Sequence, residues 1–315
     1  MPTAPQLPTR EDYLACMAET PRTVATAVGP IEYAERGAGE AVLSVHGTLG
    51  GWDQGLVGGE FLRVNGFRII APSRPGYLGT PLSTGRTFAQ QGDAFAALLD
   101  VLGIDRIIVF AASGGGPASY EFAARHPERV SKLVEVDAVC IPGRIPRLAS
   151  NLFAWDWVVK TQLWFLRRAP RQTIGVLMRA AGTESRAVVS RRAATLAAIP
   201  GRTDTLEATM RTTLGAARRR QGMSNDYTVF VPAALERITC PTLIVHARSD
   251  RPVPPANAEY AHAHIAGSEL SWMDGSHLSI GLEALDTAPA SIVDWLRGDR
   301  WGRGLSPGTP RDYGR

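Results

Sequence analysis

A serine, an aspartate and a histidine follow apolar runs in that chain order and carry the chemistry available to this sequence. Residues 106–116 read Arg-Ile-Ile-Val-Phe-Ala-Ala-Ser-Gly-Gly-Gly, which sets Ser113 among small neighbours. This is the pattern of a nucleophile elbow. A buried strand ends in a turn so sharp that its apex sits in strained backbone, and only small flanking residues let the next helix pack. Alone, a glycine-rich strand-to-helix turn equally fits a phosphate loop. The second signal is His246-Ala-Arg-Ser-Asp250-Arg-Pro-Val-Pro254 after the run 242–245. A carboxylate there can fix a histidine's tautomer and stabilise its imidazolium. Asp137, also at the end of an apolar run, is the rival acid. The third is Trp272-Met-Asp-Gly-Ser-His277-Leu, with His277 as general base for Ser113 and then general acid for the leaving group. Small residues in His46-Gly47-Thr48-Leu49-Gly50-Gly51 let a backbone N–H reach toward the elbow. The N–H groups of Thr48 and Gly114 are the natural oxyanion donors. His126, His262 and His264 lie in helical contexts and read as surface residues, and His46 as structural.

A sheet must hold these residues. Apolar runs at 41–45, 67–71, 106–111, 132–136, 242–245 and 269–273 read as strands. Their near-continuous hydrophobicity fits a sheet covered on both faces. Segments 22–27 and 31–35 flank a Val-Gly-Pro turn and predict a hairpin. Helical patterns at 88–102, 117–125 and 288–297 alternate with the strands, which predicts right-handed parallel crossovers in a doubly wound α/β sheet. Thr9-Arg-Glu-Asp12 resembles a capping box for a short helix ending near Glu19, within an N-terminal extension of residues 1–21. Between 141 and 231 the strand rhythm stops and helical periodicity takes over. That stretch reads as a helical cap inserted between core segments 22–140 and 232–298. The Arg-, Gly- and Pro-rich tail, 299–315, reads as disordered.

At 315 residues, with 44% hydrophobic and 20% charged residues, the chain has the balance of a soluble globular protein. No run of about 18 apolar residues predicts a membrane span, and the first residues lack a secretory pattern. Cys16, Cys140 and Cys240 are far apart and odd in number. They suggest neither a disulfide framework nor a metal site, and point to the cytoplasm. The net charge of +4 is uneven: residues 141–231 carry fifteen Arg or Lys against five Asp or Glu. Without interleaved aromatic platforms, this reads as a solvated Arg-rich surface rather than a nucleic-acid interface.

The quoted motifs, over about residues 22–298, resemble the α/β-hydrolase superfamily in the branch with a helical cap. They are the His46-Gly47 loop, Ala-Ala-Ser113-Gly-Gly-Gly-Pro, Arg-Ser-Asp250-Arg-Pro-Val-Pro and Gly-Ser-His277. Ala111 stands where that family usually has glycine, and Ser113 disfavours members with an aspartate nucleophile. The resemblance implies acyl-enzyme chemistry on Ser113, His277 and Asp250, with no metal and no organic cofactor. The expected function is hydrolysis of a carboxylic ester or lactone with an apolar body. Other acyl bonds (thioester, N-terminal peptide, or the carbon–carbon bond of a diketone) and a receptor role are the alternatives. Trp52 near the oxyanion loop, and Trp157 and Trp164 in the cap, are expected at the substrate pocket. The first alternative is that the cap aromatics pack onto the core; the lesser one is transient contact with lipid, since Arg167, Arg168 and Arg171 follow them. Expected partners are the small-molecule substrate and, compatibly, a second copy in a homodimer; nucleic acid and stable membrane insertion are not expected.

Overall fold

The computed structural model describes residues 5–142, 155–298 and 306–307. Nine strands form one sheet: β1 (Arg22–Thr26), β2 (Gly29–Arg36), β3 (Ala41–Val45), β4 (Arg68–Pro72), β5 (Ile107–Ala112), β6 (Val130–Val136), β7 (Thr242–Ala247), β8 (Glu269–Met273) and β9 (Ser306–Pro307). Their order is β1-β2-β4-β3-β5-β6-β7-β8-β9. The six from β4 to β8 pair in parallel, with β1 and β2 antiparallel at one edge and β9 at the other. The order departs from chain order at β3 and β4, so consecutive crossovers cover both faces of the sheet. Residues such as Val42, Leu43, Ile108, Val109, Leu133 and Val134 are fully buried, as continuous hydrophobicity demands. Pairing of 306–307 with β8 differs from the disorder read for the tail; the rest of 299–315 lies outside the described residues.

The helix at Arg10–Met17 (α1) starts at the Thr9 capping box and buries Tyr13 and Cys16 against the core. Trp52–Arg63 (α2) has no strong sequence signal because it carries three glycines. Two of them let it lie directly on the sheet. A Cβ at Gly55 would come within 2.8 Å of Ala71 Cβ and Ser44 O, and one at Gly59 within 2.9 Å of Ile69. Phe88–Leu102 (α3) begins at a second capping box, Thr87 with Gln90, and ends at Gly103 in the left-handed conformation that favours glycine. Gly116–Arg125 (α4) follows the elbow, and Ala288–Arg297 packs Ile292, Val293 and Trp295 on the sheet face covered by α2.

Five helices occupy the described part of the stretch between β6 and β7: Asp156–Arg168 (α5), Pro170–Ala181 (α6), Arg186–Ala198 (α7), Asp204–Arg211 (α8) and Arg220–Asp226 (α9). They enclose an apolar cluster of Leu166, Ile174, Met178, Val189, Leu196 and Leu206, which Leu282 of the segment after β8 joins. Among the described residues, no helix is long and apolar enough to cross a membrane.

Candidate active site

Ser113 follows β5 and adopts φ 52°, a left-handed conformation that a residue with a Cβ takes only at a cost. The three following glycines are required by close approaches. A Cβ at Gly114 would lie 2.2 Å from Thr48 Oγ1, one at Gly115 2.8 Å from Val45 O, and one at Gly116 2.6 Å from Val139 O. The elbow is therefore pressed between the loop after β3 and the loop after β6. Ala111 is fully buried and accommodated, so the departure from glycine costs the turn nothing visible.

The hydroxyl of Ser113 lies 2.9 Å from His277 Nε2, and His277 Nδ1 lies 2.5 Å from Asp250 Oδ2. Asp250 Oδ1 accepts the Val253 N–H at 2.8 Å, which fixes the carboxylate. Because Nδ1 donates to the aspartate, Nε2 is left as the acceptor for the serine proton. Burial by itself would lower the His277 pKa. The hydrogen bond and charge of Asp250, with the charge of Asp137, outweigh it and raise the pKa above the ordinary imidazole value. The arrangement can deprotonate a hydroxyl and hold the resulting imidazolium.

Asp137 is nearby but faces elsewhere. Its Oδ1 accepts the Ala247 N–H at 2.7 Å and its Oδ2 the Ser279 hydroxyl at 2.8 Å. Burial first, and the negative charge of Asp250 with it, raise its pKa, against the opposing charges of His246 and His277. Asp137, His246 and Asp250 also form a buried group that could in principle hold a metal. One carboxylate of that group is already committed to His277, however, and His246 Nε2 sits 2.9 Å from Val253 O.

The backbones of Thr48 and Gly114 are brought together, with Thr48 N 3.0 Å from the position of a Cβ on Gly114. Among the described residues, neither N–H donates to another protein group. The loop that carries Thr48 is held from behind. Gln54 Oε1 accepts the Gly47 N–H at 2.9 Å. His46 Nε2 accepts the Arg74 N–H at 2.9 Å, so its Nδ1 carries the proton and donates to Gly47 O. Burial and the Arg74 charge keep the His46 pKa well below the usual value, so this histidine stays neutral.

Ser113 and His277 open onto a cavity of about 290 Å³. Phe110, Val136, Leu206, Leu278 and Ile280 supply its apolar wall, with Gln54 and Thr209 among its polar atoms; among the described residues no Lys or Arg lines it. The three tryptophans expected there are elsewhere. Trp52 is half-buried at the start of α2 and packs on the core. Trp157 is 65% and Trp164 50% exposed, because α5 turns Val159, Leu163 and Leu166 inward instead. Sequence reasoning missed Leu206, Thr209 and Ile280. Leu206 belongs to the buried side of α8, and its amphipathic spacing was the available signal. It also missed Glu283, which accepts from the Ser276 N–H and hydroxyl and so steadies the loop before His277.

The chain belongs to the alpha/beta hydrolase fold family, whose model matches residues 40–283. Over most of its length it is similar to the uncharacterized hydrolase YcgS of Bacillus subtilis, 30% identical over 276 residues, 82% of this chain and 92% of that one. An alpha/beta hydrolase fold protein from Nakamurella multipartita has a solved structure that superposes with a TM-score of 0.75. It is 37% identical and covers 84% of this chain and 93% of its own. A shorter stretch of 113 residues, 33% of this chain and 38% of the relative, is 34% identical to 2-hydroxy-6-oxo-6-phenylhexa-2,4-dienoate hydrolase of Comamonas testosteroni.

Proposed function

We propose that the protein is a serine hydrolase that cleaves a carboxylic ester or lactone of an uncharged, largely apolar small molecule through an acyl-enzyme. The observation that carries this reading is the unbroken relay from Asp250 through His277 to Ser113, ending in a largely apolar cavity that no Lys or Arg lines among the described residues. Ser113 Oγ attacks the carbonyl carbon while His277 Nε2 takes its proton. The carbonyl electron pair moves to oxygen, where the Thr48 and Gly114 N–H groups receive it. Collapse expels the alkoxide, which leaves with the proton from His277. A water molecule, deprotonated by the same nitrogen, then releases the acid and restores Ser113.

The cavity wall also bears on the rival substrate class. A dienoate carries a carboxylate, and burying it beside Asp137 and Asp250, with no Lys or Arg among the described lining residues, would be unfavourable. Neutral esters and lactones meet no such penalty.

A fluorophosphonate probe and a substrate panel test the proposal. Wild-type protein should be labelled on the peptide bearing Ser113, and Ser113→Ala should lose both labelling and turnover by about 10³-fold or more. Neutral esters of graded acyl size should be cleaved faster than a dienoate diketone. Labelling that survives in Ser113→Ala would refute the nucleophile, and preference for the dienoate would refute the substrate class.

A further inference from the structure

We infer that the outward face of α5 docks the protein reversibly on an anionic lipid surface. The helix is apolar on two sides. Val159, Leu163 and Leu166 are buried toward the neighbouring helices. At 100° per residue, Trp157, Lys160, Thr161, Trp164, Phe165 and Arg168 fall on the opposite side. There Phe165 joins the two exposed tryptophans at 47% exposure. Scattered exposed apolar residues are ordinary, but three aromatic rings grouped on one helix face mark a surface that meets something. Trp164 and Phe165 lie edge to face with centroids 4.8 Å apart, and the Arg168 guanidinium sits 4.9 Å over the Trp164 ring.

Charge selects the occupant. Lys160 and Arg168 lie on the face, and Arg167 and Arg211 line the groove beside Trp164. Residues 157–168 contain no carboxylate. Asp156 is engaged by the N–H groups of Gly215 and Ala216, and Glu207 is shared between Arg167 and Arg211. What remains is aromatic and cationic. Indole rings settle at the boundary between headgroups and acyl chains, while Lys and Arg meet lipid phosphates and stems of the side chains stay apolar. A second copy related by a two-fold axis would bring the Lys160 and Arg168 cations of one chain against those of the other. An acidic protein would meet the cations but offer no apolar layer for the rings. The groove also adjoins the cavity: α8 contributes Arg211 to the groove and Leu206 and Thr209 to the cavity wall. A docked molecule would therefore hold its cavity one helix away from the lipid.

Flotation of the full chain with vesicles tests this directly, using phosphatidylcholine alone and phosphatidylcholine with a third of phosphatidylglycerol. The wild type should float with the anionic vesicles only, shift its tryptophan emission to the blue, and be released by high salt. Trp157→Ser/Trp164→Ser and Lys160→Glu/Arg168→Glu should each lose about tenfold or more in vesicle binding. Both should hydrolyse a soluble ester as the wild type does, which shows that they are folded. The charge-reversal pair touches no buried residue and decides alone should the tryptophan pair fail to fold. The inference is overturned by a wild type that does not float, or by variants that float equally well. It is equally overturned by a wild-type dimer that the tryptophan variant dissolves, since the face would then belong to a second copy.

Discussion

At the scale of single residues, the two carboxylates near His277 differ in what they touch. Asp250 reaches Nδ1 directly, whereas Asp137 spends its oxygens on Ala247 and Ser279. A base with a raised pKa is inactive until it loses its proton, so kcat/KM should rise through a midpoint above the ordinary imidazole value. Asp250→Asn removes the hydrogen bond and charge that raise this pKa. It should move the midpoint down and cut kcat by about 10³- to 10⁴-fold. Asp137→Asn keeps an acceptor for Ala247 and can donate to Ser279. Its kcat should stay within about threefold of wild type, with only a small downward shift of the midpoint. A pH profile of the three proteins checks this, and equal losses in both variants would refute the assignment. Ser113, Asp250 and His277 were legible because each ends an apolar run with distinctive small or turn-forming neighbours. Trp157 and Trp164 were not. Periodicity gives the faces of a helix, but both faces of α5 are apolar, and only packing chooses between them.

Among the elements, strands β1 to β8 were legible from the sequence to within two residues at their ends, whereas β9 fell in a tail read as disordered. The helix α2 was not, because the glycines that seat it on the sheet read as loop. Nor were the ties between the cap helices and the oxyanion loop, which join residues far apart in sequence. Arg74, fully buried after β4, is bidentate to Asp226 of α9 at 2.7 and 3.1 Å, and its Nε–H donates to His46 O at 3.2 Å. Arg219 is bidentate to Asp53 of α2 at 2.7 and 3.0 Å. Asp226→Ala should destabilise the protein by about 3–5 kcal/mol, since it leaves the Arg74 guanidinium buried and unpaired. Arg74→Met/Asp226→Leu removes both charges and should recover most of that stability. It should nonetheless hydrolyse slowly, because the contact that holds the His46 carbonyl is gone. Denaturant titration read beside kcat separates the two effects. A double variant as destabilised as the single would contradict the account of the buried pair.

For the whole molecule, these ties predict how it comes apart. The cap helices share their apolar cluster with Leu282 of the core, and buried or half-buried ion pairs, among them Arg74–Asp226, Arg219–Asp53 and Arg192–Glu283, fasten them further, with the end of α6. Activity and tryptophan fluorescence should therefore be lost at the same urea concentration in one transition. Activity lost well before fluorescence would show that the cap loosens independently. The α/β architecture was evident from alternation of strands and helices, and the insertion from where that alternation stopped. How the two parts lock together was not, because an arginine-rich segment reads as solvated surface until its aspartate partners are found across the chain.

The end of α6 carries one more consequence. The carbonyl of Ala181 accepts both the Arg251 N–H at 3.1 Å and the His277 N–H at 3.2 Å, while Gly182 bridges to Asp250. One peptide group thus pins the loop of the acid and the loop of the base to the same point. If that end lifted to admit substrate, it would pull Asp250 away from His277. A doorway for the proposed substrate is therefore expected elsewhere on the rim, with the hinge of any breathing motion at the loops of Asp250 and His277.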